Sequence, residues 1–503
     1  MDNQEGDDRD VTEHVVMLVG MRAATSTNDV IEEGVSANHK IGRVRYRILR
    51  TLALFSAFIM LGATQSILGP SLISMGVLLN EDIHTMTTSL TALSLGYLTG
   101  AALCGALYDL LNRELLFLLG TATIGISTVM APSGDYLYLY VMALASLGFF
   151  SGGVDTAGQA YVIHLWCRHP YQWVMMLTLH FLWASGSALG PLMIRPFLID
   201  INKRVDEVSN MDYKPCAQNY TPSFALDENC TDWEYSWELR ERVAVVQYGF
   251  MAVGATSIVP VLMFSTTYFL LGPSIQLKER LAPNARQAKK PMQRRPKCAL
   301  VAFLVTLFFL YNFVNANMAT FLATFAVGGL HWPNNDGALL TSLYFGANCF
   351  GKLLFVYPVL RLKPEMLNLS EMLTVLCGCL LMFFSSWHVS VLWIATAMVG
   401  LGMSSINAAC FFWADSHLTV SGKLSSVVMT SGSVGAMVAP VLSGYLFDRY
   451  GGLAYVIAVS TGSIFQLLVF VCAELFSTKC AKSKTSKENG KVFLADDEQL
   501  ETA

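Results

Sequence analysis

Asp155 is the residue with the most to explain. It lies inside the otherwise small and apolar stretch Phe149–Val162. A carboxylate at the centre of a bilayer costs about 2.5–3.5 kcal/mol on insertion scales, so it must face protein or water. Gly148, Gly152, Asp155 and Gln159 follow one another at spacings of four, three and four, which puts them on one helical face. That face is small and polar, suited to lining a cavity. The alternative is an aspartate capping a helix broken at Gly152-Gly153. A carboxylate here could bind sodium directly or change its protonation state, and it is the only acidic residue expected near the centre of a span. Lys352, which follows Gly351 in another apolar run, is its basic counterpart. It could snorkel to the interface or serve as a fixed positive charge that pairs with a carboxylate in one state.

A second group of residues is polar but neutral. His180, Trp183 and Ser187 share a helical face at i, i+3 and i+7. An indole ring can stack on a sugar while an imidazole donates to its hydroxyls; a packed aromatic beside a satisfied histidine is the other reading. Tyr311, Asn312, Asn315 and Asn317 crowd into a single apolar run. Asparagine both donates and accepts, which suits a polyhydroxylated ligand, though it also suits hydrogen bonding between helices. Gln65, Gln159, Asn348 and Asn407 extend the set.

What must position these residues is a membrane-spanning bundle. The 503 residues are 53% hydrophobic and only 14% charged, against about 25% charged in soluble domains. The apolar residues fall into about twelve runs of bilayer-crossing length, at 48–73, 88–108, 115–133, 137–163, 174–195, 243–266, 299–327, 338–360, 366–386, 390–413, 424–446 and 453–476. Spans must satisfy their own backbone hydrogen bonds, so these are helices. The expected fold is all-α integral membrane, twelve transmembrane helices in two six-helix repeats. Residues 1–46 form an N-terminal tail, 47–271 one half, 272–297 a basic linker, 298–476 the other half and 477–503 a C-terminal tail.

Lysine and arginine set the orientation. They cluster before the first span (Lys40, Arg43, Arg45, Arg47, Arg50) and between the halves (Lys278, Arg280, Arg286, Lys289, Lys290, Arg294, Arg295, Lys297). Both tails and the linker are therefore expected to be cytoplasmic. The long loop 196–242 then lies outside. It carries two glycosylation acceptors, at Asn219 and Asn229. Cys216 and Cys230 share that loop and could pair in an oxidising environment. The other cysteines sit mostly in apolar runs and read as packing residues.

The halves repeat. Ser185-Gly186-Ser187 with Pro191 is matched by Ser431-Gly432-Ser433 with Pro440, and Gly148 then Asp155 by Gly400 then Asn407. Internal repeats of this kind mark secondary transporters, with substrate held at the midplane between the halves. There is no P-loop, no His-Glu-x-x-His and no nucleophile elbow. An enzyme, an ATP-driven pump and a nucleic-acid binder are not expected, and no cofactor or metal is expected beyond sodium or a proton as coupling ion. The expected partners are membrane lipid and a small-molecule substrate, with the protein monomeric and in the plasma membrane.

Two charged turns could act as gates. Gly105-Ala106-Leu107-Tyr108-Asp109 with Arg113 ends the second span, and Gly444-Tyr445-Leu446-Phe447-Asp448-Arg449 ends the eleventh. The first resembles the signature loop of the major facilitator superfamily, where the aspartate caps a helix end and pairs with arginine. Asp155-Thr156-Ala157-Gly158-Gln159 running to Leu165-Trp166, then His180-Phe181-Leu182-Trp183-Ala184-Ser185-Gly186 and Gly190-Pro191-Leu192, resembles the branch of that superfamily that holds sodium-dependent glucose transporters. The resemblance spans all twelve runs. It implies sugar uptake coupled to an ion, with a distant likeness to fucose–proton symporters, in which a span 4 acidic residue couples protons; Asp155 is the matching position. Two residues depart from the branch: Asn315 stands where span 7 would carry an acid, and Lys352 where span 8 would carry arginine. A non-transporting receptor or scaffold, and a proton-coupled organic anion carrier using Lys352, stay open as alternatives.

Overall fold

The structure, a computed structural model, describes residues 47–108, 112–134, 136–167, 169, 171–198, 243–271, 294–354, 363–417 and 422–501. All regular structure among them is helical. Contacts divide the chain into residues 1–53 and 54–503; the packing described below lies within the second. Ten helices are long and apolar enough to cross a bilayer, from Arg47–Ser66 to Gly452–Thr478. Spans 2 and 8 are formed by Ile83–Leu107 and Asn334–Leu354. They are less apolar because they carry residues such as Thr87, Tyr97, Ser342 and Asn348. The protein is a multi-pass membrane protein with two six-helix repeats.

Several spans expected to be continuous are interrupted. Span 1 divides into Arg47–Ser66 and Leu68–Leu79. Pro70 has no N–H to donate to Ser66, so the ladder lapses at Ile67. Span 10 divides into Val389–Gly402 and Ile406–His417, with Met403, Ser404 and Ser405 between. Span 7 runs Arg294–Thr324 and ends in a π-helical turn, Phe325–Gly329.

Close backbone contact holds each half together. Span 4 is Leu137–Leu165, and a Cβ at its Gly152 would strike the backbone of Tyr97 in span 2; one at Gly148 would strike Leu93. Sequence analysis expected this small face to line a cavity. Instead Gly148 and Gly152 form a packing seam, since without side chains they let two backbones approach. The other half repeats the device: Gly400 of span 10 lies against the Tyr344 carbonyl of span 8. Span 5, Gln172–Ile194, packs Gly186 on Ile59 of span 1, and span 11, Gly422–Tyr450, packs Gly435 on Phe309 of span 7. The six-plus-six repeat is thus written in packing as well as in sequence.

The halves meet through spans 1, 2 and 5 on one side and 7, 8 and 11 on the other. Gly69 abuts Ala319 and Thr320, and Gly444 abuts Thr87. His84 meets Tyr445 edge to face, and Ile73 packs with Val327. Deeper in, Ser342 Oγ donates to the Ala188 carbonyl at 2.5 Å, and Ser185 Oγ and Cys349 Sγ lie 3.2 Å apart.

Candidate functional site

Asp155 sits in the middle of span 4, and its carboxylate is engaged at both oxygens. The Tyr97 hydroxyl donates to Oδ2 from span 2, and Gln159 Nε2 donates to Oδ1 at 3.2 Å from one turn along the same helix. Gln159 therefore supports the carboxylate rather than standing free. Tyr97 was not singled out from sequence. Its register, directly on the glycine seam, is what brings its hydroxyl to Asp155.

His180 on span 5 lies within electrostatic range of both Asp155 and Lys352. Lys352 belongs to span 8, so a line of ionisable groups runs from span 4 through span 5 into the opposite half. Lys352 Nζ donates to the Ser404 carbonyl at 2.8 Å, a carbonyl released by the break in span 10. Beside this line Trp183 meets Phe345 edge to face, with ring centroids 6.2 Å apart, which places an aromatic wall across the boundary between halves.

The neutral residues divide by location. Asn315 Oδ1 accepts from the Tyr344 hydroxyl at 2.7 Å, joining spans 7 and 8. The Tyr311 hydroxyl donates to the Met403 carbonyl at 3.4 Å. Asn312 Nδ2 donates to the Phe308 carbonyl of its own helix and lies against Gly432 of span 11. Asn348 is buried in span 8. Asn407, just after the span 10 break, keeps Oδ1 buried without a hydrogen-bond partner. Gln65 is half-buried at the break in span 1. Asn317 is buried and accepts from Ser443 at 2.5 Å, a packing bond within the second half.

The gate pairs have different outcomes. Arg113 lies over the Tyr108 ring at 4.7 Å; Asp109 is outside the described residues, as are Asn219, Asn229, Cys216 and Cys230. Asp448 and Arg449 do not act as a pair, because adjacent residues on a helix point in different directions. Asp448 Oδ1 is buried without a partner, while Arg449 is exposed. Two acidic residues nearer the span ends are also drawn into the helix packing. Glu371 on span 9, Pro364–Leu381, is fully buried. Glu474 on span 12 accepts from Trp413 Nε1 at 2.7 Å. Neither was singled out from the sequence, because each lies within about two turns of the end of its span, where a charge reads as interfacial.

No family model matches the chain. The sodium-dependent glucose transporter 1 of Danio rerio is 24% identical over 482 residues, covering 94% of this chain and 76% of that protein. The major facilitator superfamily domain-containing protein 4A of Pongo abelii is 22% identical over 476 residues, covering 85% and 91%. Among solved structures, a mutant of the nucleoside transporter NupG superposes with a TM-score of 0.61 at 12% identity, covering 85% of this chain and 99% of that one. The chain has the major facilitator fold. The transporter FucP, solved in its outward conformation, has the same fold, with a TM-score of 0.56 at 15% identity over 86% of this chain and 99% of that one. The first of these relatives is named as a transporter, in keeping with a protein that is not an enzyme.

Proposed function

We propose that the protein is a secondary active transporter of a small polar solute, a hexose such as glucose, working by alternating access and coupled to sodium or protons through Asp155. The observation that carries this reading is the line from Asp155 through His180 to Lys352, which crosses from one half to the other beside the Trp183–Phe345 wall. A carboxylate and an ammonium on opposite halves change their separation whenever the halves rock. Coupling needs such a change, because an ion drives transport only if the two states bind it differently. Gln65, Gln159, His180, Trp183, Tyr311, Asn312, Asn315, Asn348 and Asn407 supply neutral donors and acceptors for a sugar. The names of the relatives, sodium-dependent glucose transporters among them, support the substrate class and the ion.

In the proposed orientation, residues 1–46, 272–297 and 477–503 are cytoplasmic and 196–242 lie outside, in the plasma membrane. The contacts between halves at Gly69, Thr87 and Gly444 then fall at the outer end, so the arrangement is the one closed to the outside. Single Asn219→Gln and Asn229→Gln variants treated with glycosidase test this orientation. Loss of a glycan from either variant is the expected result, whereas a glycan only on the acceptor Asn368-Leu369-Ser370, which this orientation puts at the cytoplasmic boundary, would mean the reverse topology.

The function itself is tested by uptake of a panel of radiolabelled hexoses into vesicles, with sodium and proton gradients imposed separately. Concentrative uptake of at least one hexose under one gradient is expected, and none under either sinks the proposal. Within the site, Asn315→Ala and Trp183→Ala are expected to weaken apparent affinity roughly two- to tenfold, the effect of one neutral hydrogen bond of about 0.5–1.5 kcal/mol. Unchanged affinity for every transported hexose in both variants, at normal surface levels, would show that the sugar lies elsewhere.

A further inference from the structure

Away from Asp155, the second half contains a polar centre around Glu371, a carboxylate given no role from the sequence. It gathers at the break in span 10. The missing helical turn releases main-chain carbonyls: Met403 O receives the Tyr311 hydroxyl, and Ser404 O receives Lys352 Nζ. The Ser404 and Ser405 hydroxyls lie 3.4 Å apart beside them. Span 9 packs its backbone against the same turn, where a Cβ at Gly402 would stand 2.8 Å from the Glu371 carbonyl. The Glu371 side chain is fully buried, and its carboxylate has no hydrogen bond of good geometry, the Ser405 hydroxyl being the one donor that reaches toward it. The groups that act on it are Ser405 and Lys352, and Tyr311 lies within its field.

One weak hydroxyl contact does not offset the burial of a carboxylate, which is costly unless a charge compensates it. Lys352 is the nearest cation acting on it, yet its ammonium is hydrogen bonded to Ser404 O and forms no ion pair among the described residues. Glu371, two released carbonyls and two hydroxyls make an oxygen-rich, singly negative environment. Hard oxygen donors suit alkali and alkaline-earth cations, and half-helix ends with unwound carbonyls are the usual sodium-coordinating parts of transporters. A single carboxylate balances a single positive charge.

We infer that Glu371 and the span 10 break form a monovalent cation site of the sodium class, which the ammonium of Lys352 neutralises as a tethered substitute. Lys352 also shares a field with His180 and Asp155, so its movement toward the other half would empty this position and admit a free ion. Two cations then compete for one carboxylate, one on a side chain and one from solution.

The experiment is thermal unfolding of the purified protein in detergent, in sodium chloride against choline chloride at one ionic strength and one pH. It needs no transport assay, so it stands or falls separately from the hexose reading. Lys352→Met should gain a sodium-specific rise in Tm of about 1–3 °C at sodium well above its Kd, larger than the rise in the unmodified protein. Lys352→Arg should keep the unmodified response. Lys352→Met combined with Glu371→Gln should lose the sodium response and unfold at a higher temperature than Lys352→Met does in choline, because an uncompensated carboxylate has been removed. The inference is overturned if Lys352→Met responds alike to sodium and choline, or if its response persists when Glu371 is glutamine. It is also overturned if Tm follows pH and ignores sodium, which would assign the carboxylate to a proton. Should Lys352→Met be recoverable only in sodium, the inference holds; should it be lost in both salts while the double variant is sound, it fails.

Discussion

Replacing Asp155 with asparagine is expected to abolish gradient-driven accumulation while leaving substrate exchange measurable. Exchange requires the halves to rock with substrate bound but needs no net release of the coupling ion. Accumulation needs the carboxylate, because only a group that can be neutral in one state and ionised or sodium-bound in the other can carry the gradient's energy. The geometry makes asparagine a fair test. It has the shape of aspartate and keeps one oxygen for the Tyr97 hydroxyl or for Gln159. The folding cost is that of one weakened hydrogen bond, about 0.5–1.5 kcal/mol. A purely structural aspartate predicts a different pattern, in which surface abundance and exchange fall together. Accumulation that survives at normal surface levels would remove Asp155 from coupling and point to a uniporter.

Gly152→Leu is expected to remove most of the folded protein from the membrane. A Cβ at this position would stand 2.8 Å from the Tyr97 carbonyl carbon and 2.9 Å from its Cα. These atoms are backbone, so the only relief is to move spans 2 and 4 apart. Overpacking a core costs about 1–3 kcal/mol when side chains can adjust, and here they cannot. The same displacement would draw the Tyr97 hydroxyl away from Asp155. Gly105→Ala is the control, since its nearest neighbour would be Thr156 Cγ2 at an ordinary 3.5 Å. Surface abundance and Tm measured on both variants decide the matter. Normal levels for Gly152→Leu would mean that the seam is looser than described.

The architecture was legible from sequence because its signals are long. Runs of bilayer length, their lysine and arginine bias, and the paired Ser-Gly-Ser motifs each average over many residues. Asp155, His180 and Lys352 were legible for a related reason: a charged or titratable residue in an apolar run is conspicuous. Partner choice was not legible. That Gln159 and Tyr97 hold Asp155, or that Asn312 turns to its own helix, depends on helix rotation and depth, which composition does not encode. The glycines on the Asp155 face misled for the same reason, since a small residue permits either a cavity or a close contact. Glu371 escaped notice because a carboxylate seven residues into a helix reads as an interfacial group until burial shows otherwise.

The interruption at Met403–Ser405 bears on how force passes through the second half. A continuous helix is a stiff rod that carries torque from end to end, whereas two rods joined by three residues outside the helix do not. The pieces Val389–Gly402 and Ile406–His417 are not one continuous ladder, and besides the close packing at Gly400 and Gly402 the joint is held by hydrogen bonds from Tyr311 and Lys352 to its free carbonyls. One of these donors is neutral and the other is a charge that can let go. In the proposed transport cycle span 10 would then work as a clutch between the two faces of the membrane, engaged while the lysine holds the Ser404 carbonyl and slipping when it leaves.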